Sequence, residues 1–178
     1  MSKASLVIRI AKRNLSGSPK KDLSAVEKQQ TDYSADRMAP PDWSPGVMSD
    51  RQATCSCGNL VVRTHGDPVR NSICHCFACQ KRTGSPFGAR ARFEIGAVRV
   101  AGRSKEYVRI AESGNAVRFQ FCPDCGSTVA WQLDALSGFI TVPIGAFADP
   151  HFPQPEVSVF EEHQHSWVQL PGGMEHLA

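Results

Sequence analysis

Past Arg118 the chain contains no lysine or arginine, although seven acidic residues fall within residues 119–178. Its positive charge lies upstream: residues 51–118 hold 12 basic and 4 acidic side chains, residues 1–50 hold 8 and 6, and the whole chain is +3. Such polarity fits either two halves that fold together and pair their charges, or an anion-attracting pocket in the middle segment. No lysine- or arginine-rich run is interleaved with aromatic residues, so a nucleic-acid surface is not expected and a small acidic substrate suits the charge better. A run of about 18 apolar residues is also missing, which excludes a membrane-spanning helix. The N-terminus lacks the continuous apolar core of a secretory signal. A soluble, cytoplasmic protein is therefore expected. No amphipathic stretch reaches the dozen or so residues of a crossover helix, which argues against a parallel α/β sheet, and no fixed-period repeat occurs.

Residues 1–47 are polar, rich in proline and serine, and without sustained periodicity, the composition of a disordered extension. The first 21 residues hold six Lys or Arg, no acid and the apolar "LVIRI", which also matches an organelle presequence. Met48 stands seven residues before Cys55, so "MSDRQATCSCG" reads as an alternative start. One domain is expected over 48–178, since a chain of 178 residues is long enough for one core and short for two. From Thr54 onward the signals are those of short strands: "NLVVRTHGDP", "SICHC", "GARARFEIGAVRV", "EYVRIAE", "NAVRFQFC", "STVAWQL", "FITVPIGAF" and "EVSVFEE". Their spacing and Gly-rich turns predict a small mainly-β domain. Only "FACQKRTG" reads as a helical turn.

The seven cysteines are the strongest positive signal. An odd number cannot pair completely within one chain, and their close spacing suits metal chelation in a reducing compartment better than disulfide stapling. The pattern is C-x-C-x16-C-x-C-x2-C-x42-C-x2-C over Cys55, Cys57, Cys74, Cys76, Cys79, Cys122 and Cys125. In an extended C-x-C both sulfurs point the same way, and a C-x2-C knuckle achieves this through a turn. Gly58 and Gly126 directly follow two of the pairs, where a positive φ lets backbone N–H groups approach thiolates. "CPDCG" is then half of a zinc knuckle and "CSCG" the best other half, closing a four-cysteine site. Cys74, Cys76 and Cys79 remain, and three protein ligands with an open fourth position are the arrangement of a catalytic zinc. Two other readings stay open. His75 would close a second structural site, although in an extended strand it faces away from its neighbours' sulfurs. "CFAC" and "CPDC" also match redox pairs, although the βαβ context of such pairs is missing.

At these residues the sequence resembles the family of glutathione-dependent formaldehyde-activating enzymes, which also contains the centromere protein V type of domain. The resemblance runs from Thr54 to about His176 and rests on the cysteine spacing, "CHCFACQKRTGSPFGA", "RFQFCPDCGS", "VPIGAFADP" and "VFEEHQHSWVQLPGGMEH". It implies a small, zinc-stabilised domain of coiled antiparallel β-sheets, of the Mss4-like kind. It implies two zincs per chain, a structural one on Cys55, Cys57, Cys122 and Cys125 and a catalytic one on Cys74, Cys76 and Cys79. The implied activity is that of a carbon–sulfur lyase joining glutathione and formaldehyde into S-(hydroxymethyl)glutathione; the alternative is a non-catalytic, zinc-stabilised binding module. Residues 1–47 lie outside the pattern, and where many members have a basic residue near the C-terminus this chain has His163, Gln164 and His165.

A zinc held by three thiolates has a net negative formal charge and polarises a carbonyl weakly. Its open position is better read as holding an incoming thiol in the nucleophilic thiolate form, to attack an aldehyde carbon. The expected partners are glutathione or another small thiol, and an aldehyde. Candidate substrate contacts are Lys81, Arg82 and Phe87, with Arg90 and Arg92 as further steering charges and "RTGSPFGA" as a pocket wall. The cations read first as solvated surface charge and Phe87 as core, and the loop equally as a plain turn. Trp131 and Phe147 are assigned to packing and His65 to the surface.

Overall fold

The computed structural model describes residues 50–177; the expectations of a disordered extension, a targeting segment and a start at Met48 fall outside these residues. In chain order the elements are β1 (Arg51–Thr54), β2 (Val61–Thr64), β3 (Arg70–Cys74), α1 (Phe77–Thr83), β4 (Gly88–Glu94), β5 (Val98–Ala101), β6 (Lys105–Ile110), β7 (Ala116–Phe121), β8 (Thr128–Leu133), β9 (Phe139–Pro143), β10 (Val157–Val159) and β11 (Glu175–Leu177). The protein is mainly β, as the strand spacing predicts. β1, β2 and β5 form a three-stranded sheet, and the other strands form an eight-stranded one in the order β11-β10-β3-β4-β9-β8-β7-β6. Pairing is antiparallel except at one end of the large sheet, where β10 runs parallel to both β3 and β11. Among the described residues no helix is long and apolar enough to cross a membrane.

The run "GARARFEIGAVRV" reads as one alternating strand but forms two. A single 3-10 turn at Ile95–Ala97 hands the chain from the large sheet to the small one, where Val98–Ala101 pairs with β2. Alternation continues through the turn, so its period gives no sign of the change of sheet. The chain also contains two strands beyond those read from the sequence. β1 is four mostly polar residues, and β11 is an edge strand with all three residues exposed, so neither shows a buried face in its pattern.

Period-two alternation divides the large sheet into two faces. In β4, Ala91 and Phe93 are fully buried on one face, while Arg90 and Arg92 stand on the other. The first face packs against the small sheet through a cluster that includes Ala53, Val62 and Val98 with Phe93, Ile140 and Val142. Phe147 joins it as expected, 6.2 Å from Phe93 and 4.6 Å from Phe152 between ring centroids. Cys55 and Cys122 belong to the same buried cluster. On the second face a cross-strand row runs Tyr107, Phe119, Trp131, Thr141, Arg92, Arg70. Val117, Phe119 and Trp131 form a separate buried cluster there.

Ala148, just after the 3-10 turn Ile144–Phe147, has φ 49° and ψ 33°, the left-handed region. A Cβ there costs about 1–2 kcal/mol, against the roughly 0.5–1 kcal/mol of extra entropy a glycine loses on folding. Ala148→Gly should therefore raise stability by about 0.5–1 kcal/mol, measured by urea denaturation; a loss of stability would show that the Ala148 methyl is held by packing.

Candidate metal and thiol site

Two loops from opposite sheets build the first cysteine cluster. Cys55 and Cys57 come from the turn after β1, Cys122 and Cys125 from the turn after β7, and their four sulfurs all lie within 4.8 Å of one another. Both turns close as expected, with Gly58 at φ 80° and Gly126 at φ 73°. The Gly58 N–H donates to Cys55 O at 3.0 Å and the Gly126 N–H to Cys122 O at 2.9 Å. The Leu60 N–H donates to Cys55 Sγ at 3.2 Å. Ser56 and Ser127 join the two turns through their hydroxyls at 2.8 Å. The cluster thus spans the junction of the two sheets.

Cys74, Cys76 and Cys79 form the second cluster, again within 4.8 Å. Cys74 ends β3, Cys76 is the N-cap of α1 with extended φ −57°, ψ 146°, and Cys79 lies in the first turn, its N–H directed at Cys76 Sγ. The extended backbone at Cys76 puts its sulfur on the same side as that of Cys74, 3.4 Å away. His75 is not part of this group. Its ring is fully buried, edge-on to Phe87 at 5.9 Å, and burial lowers its pKa against a backbone interaction with Pro86.

Both clusters suit zinc by dimension. A Zn–S bond of about 2.3 Å in a tetrahedron separates the sulfurs by about 3.8 Å, close to the 3.5 Å and 3.6 Å between Cys57 and its neighbours Cys55 and Cys122. The donor set points the same way. Hydrogen bonds from Cys74 and then Cys79 lower the pKa of Cys76, while the bond to Cys76 pushes that of the Cys74 thiol up. A central dication allows all three to ionise together.

Beside the second cluster, on the sheet face opposite the core, opens a cavity of about 400 Å³. Cys74, Cys76 and Cys79 line it together with Arg82, Arg90, Arg92, Arg109 and Trp131. The Arg82 guanidinium lies 4.4 Å over the Trp131 ring and 5.7 Å over Phe119. Burial lowers its pKa, against the pull of Cys79. Of the expected substrate contacts, Arg82 is at this cavity. Lys81 is exposed outside it, and Phe87 lines a second, more open depression with Ser85 and Ser127. The "RTGSPFGA" loop therefore walls that second depression. Trp131 is buried, as expected, but also contributes to the cavity wall. His65 is partly exposed beside Asp50, 2.6 Å away.

Several residues at the site go beyond the sequence reading. Arg109 and Phe119 reach the cavity from distant strands and Phe160 from just after β10, where it has a left-handed φ of 58°. Nothing in their local pattern distinguishes them. Gln80 is the buckle between α1 and the C-terminal segment: its Nε2 donates to His75 O at 2.6 Å and His163 O at 3.0 Å, while its Oε1 meets His165 Nε2 at 3.1 Å. Phe77 stacks on His163 at 4.1 Å. The two histidines in "EEHQHSW" thus dock the C-terminal segment beside the three cysteines.

The family model described as "Glutathione-dependent formaldehyde-activating enzyme" matches residues 50–163. A structural-genomics crystal structure of a Rhodobacter sphaeroides protein aligns with TM-score 0.43 and 16% identity, over 56% of this chain and 91% of that one. Curated proteins give no match.

Because Gln80 satisfies two backbone carbonyls at once, Gln80→Ala should cost about 1–3 kcal/mol and raise amide hydrogen exchange in residues 161–168. Unchanged exchange there would remove Gln80 from its role as the buckle.

Proposed function

The chain belongs to the glutathione-dependent formaldehyde-activating enzyme family, and from that premise we propose that it is a zinc-dependent carbon–sulfur lyase that joins glutathione to formaldehyde. The observation behind this reading is the pair of unequal clusters, four cysteines at the sheet junction and three at the cavity. Cys55, Cys57, Cys122 and Cys125 would hold a structural zinc. Cys74, Cys76 and Cys79 would hold a second, with His75 turned into the protein and the remaining position facing the cavity. Zinc there supplies the positive charge that lowers the pKa of an incoming thiol and keeps it as the thiolate.

The chain's own contribution is placement. The three sulfurs come from the end of β3 and the start of α1 and line the cavity, so a thiol taken up beside them would lie within it. Arg82, Arg90, Arg92 and Arg109 line the same cavity and would attract an anion there, beside the apolar walls of Trp131 and Leu133. In the reaction the carbon–sulfur bond forms as the carbonyl π pair moves to oxygen, and the thiol proton ends on that oxygen. Thiol and aldehyde thereby give a hydroxymethyl thioether with no other reactant.

The competing reading, a zinc-stabilised binding module, differs in metal content. Metal analysis of the native protein should give two zincs per chain, one of them removed quickly by a mild chelator. Cys76→Ser should keep the fold and one zinc while losing glutathione binding in calorimetry, and His75→Ala should keep both zincs. A single, inert zinc in the native protein, or loss of one zinc on His75→Ala, would contradict the lyase reading and favour the binding module.

A further inference from the structure

The three sulfurs at the cavity are covered by different means. Cys74 is buried. Cys76 caps α1, and the Cys79 N–H donates to its sulfur at 3.4 Å. Cys79 lies in the first turn and is only partly buried; the cation beside it is Arg82. Arg82 follows Cys79 by three positions, which puts both side chains on one face of α1. The two interact by charge and through a side-chain hydrogen bond. Arg90 acts on Cys74 and Cys79 by charge, while its Nε is committed to the Ser72 hydroxyl at 2.9 Å.

Two features hold the Arg82 guanidinium at that sulfur. It lies 4.4 Å over the Trp131 ring, a cation–π contact that fixes it from the side of the sheet. Gly88 stands opposite Cys74 in the register of β3 and β4. A Cβ on Gly88 would lie 3.3 Å from Arg82 Nη2 and 3.4 Å from Cys79 Cβ. The space that a side chain would take there is therefore the notch in which the arginine folds back beside Cys79.

With zinc in this cluster, three protein sulfurs and the incoming thiol would be donors of one kind, each able to attack an aldehyde. A charge-assisted hydrogen bond to a ligating thiolate draws charge from the sulfur and lowers its nucleophilicity. We propose that Arg82 is a positioning residue that quiets Cys79, so that the external thiol is the sulfur left to react. The inference rests on the proposed thiol-binding zinc at the three cysteines, and adds how the site distinguishes its own sulfurs from the one it takes in. Arg82 acts here through Cys79 and needs no contact with either reactant.

The test is the rate at which iodoacetamide, a neutral electrophile that arginine does not steer, modifies each cysteine of the zinc-loaded protein. Peptide mass spectrometry reads the rates, and metal analysis reads the zinc content. Arg82→Met should make Cys79 about three- to tenfold faster, with Cys76 and the four-cysteine cluster unchanged and both zincs retained. Arg82→Lys introduces a side chain of similar length that carries the charge, and should restore much of the protection. Three outcomes would overturn the inference while leaving the thiol site standing: an unchanged Cys79 rate in Arg82→Met, equal rates in Arg82→Met and Arg82→Lys, or a rise shared by Cys76 and the four-cysteine cluster. The second would show that bulk alone covers Cys79, and the third that the fold has loosened. A single zinc in the native protein would contradict the thiol site itself, and the inference with it. Should Arg82→Met fail to fold, Arg82→Gln, which also removes the charge, takes its place.

Discussion

Four thiols drawn together where two sheets meet are the constraint on which the rest of the molecule depends. The small sheet has three short strands and packs on the large one through Ala53, Val62 and Val98. It is fastened by the turn of Cys55 and Cys57, which meets the turn of Cys122 and Cys125 from the large sheet. Two of those sulfurs are buried in the common hydrophobic cluster with Leu60 and Val129. In the zinc reading, the free energy of binding the metal is folding free energy, and it acts at the point where the shared core begins. With the junction fixed, the opposite face of the large sheet is free to build a site.

That site is a consequence of alternation. Positions that send Ala91 and Phe93 into the core send Arg90 and Arg92 to the other face, and the cross-strand register extends them into a row with Thr141, Trp131 and Phe119. β3 joins this row at Arg70 and ends four residues on at Cys74. The C-terminal segment closes over its end through Gln80 and brings Phe160 to the cavity. Basic residues from the middle of the chain thus gather on one surface, and charge pairing with the acidic C-terminal segment does not consume them.

The cysteine spacing and the repeated short apolar runs made the fold class and both thiol clusters legible, because each depends on neighbours within a few residues. His75 turning inward was legible for the same reason, since its direction follows from the extended backbone between Cys74 and Cys76. What depends on long-range register was not legible. Arg109 and Phe119 meet Cys79 only after four strands have paired, and the change of sheet after β4 hides within an unbroken alternation. Phe87 and Lys81 are close to the cysteines in sequence, yet Lys81 is exposed on α1 and Phe87, in the loop before β4, lines the other depression rather than the cavity that Arg82 enters. Nearness along the chain is a weak guide to a site assembled across a sheet.

The central claim is that the three-cysteine cluster keeps one position for an external thiol. Zinc-edge X-ray absorption on the zinc-loaded protein, with and without saturating glutathione, reads that position directly. A mean sulfur count below four that rises to four on adding glutathione is the predicted result; a count that does not change would contradict it.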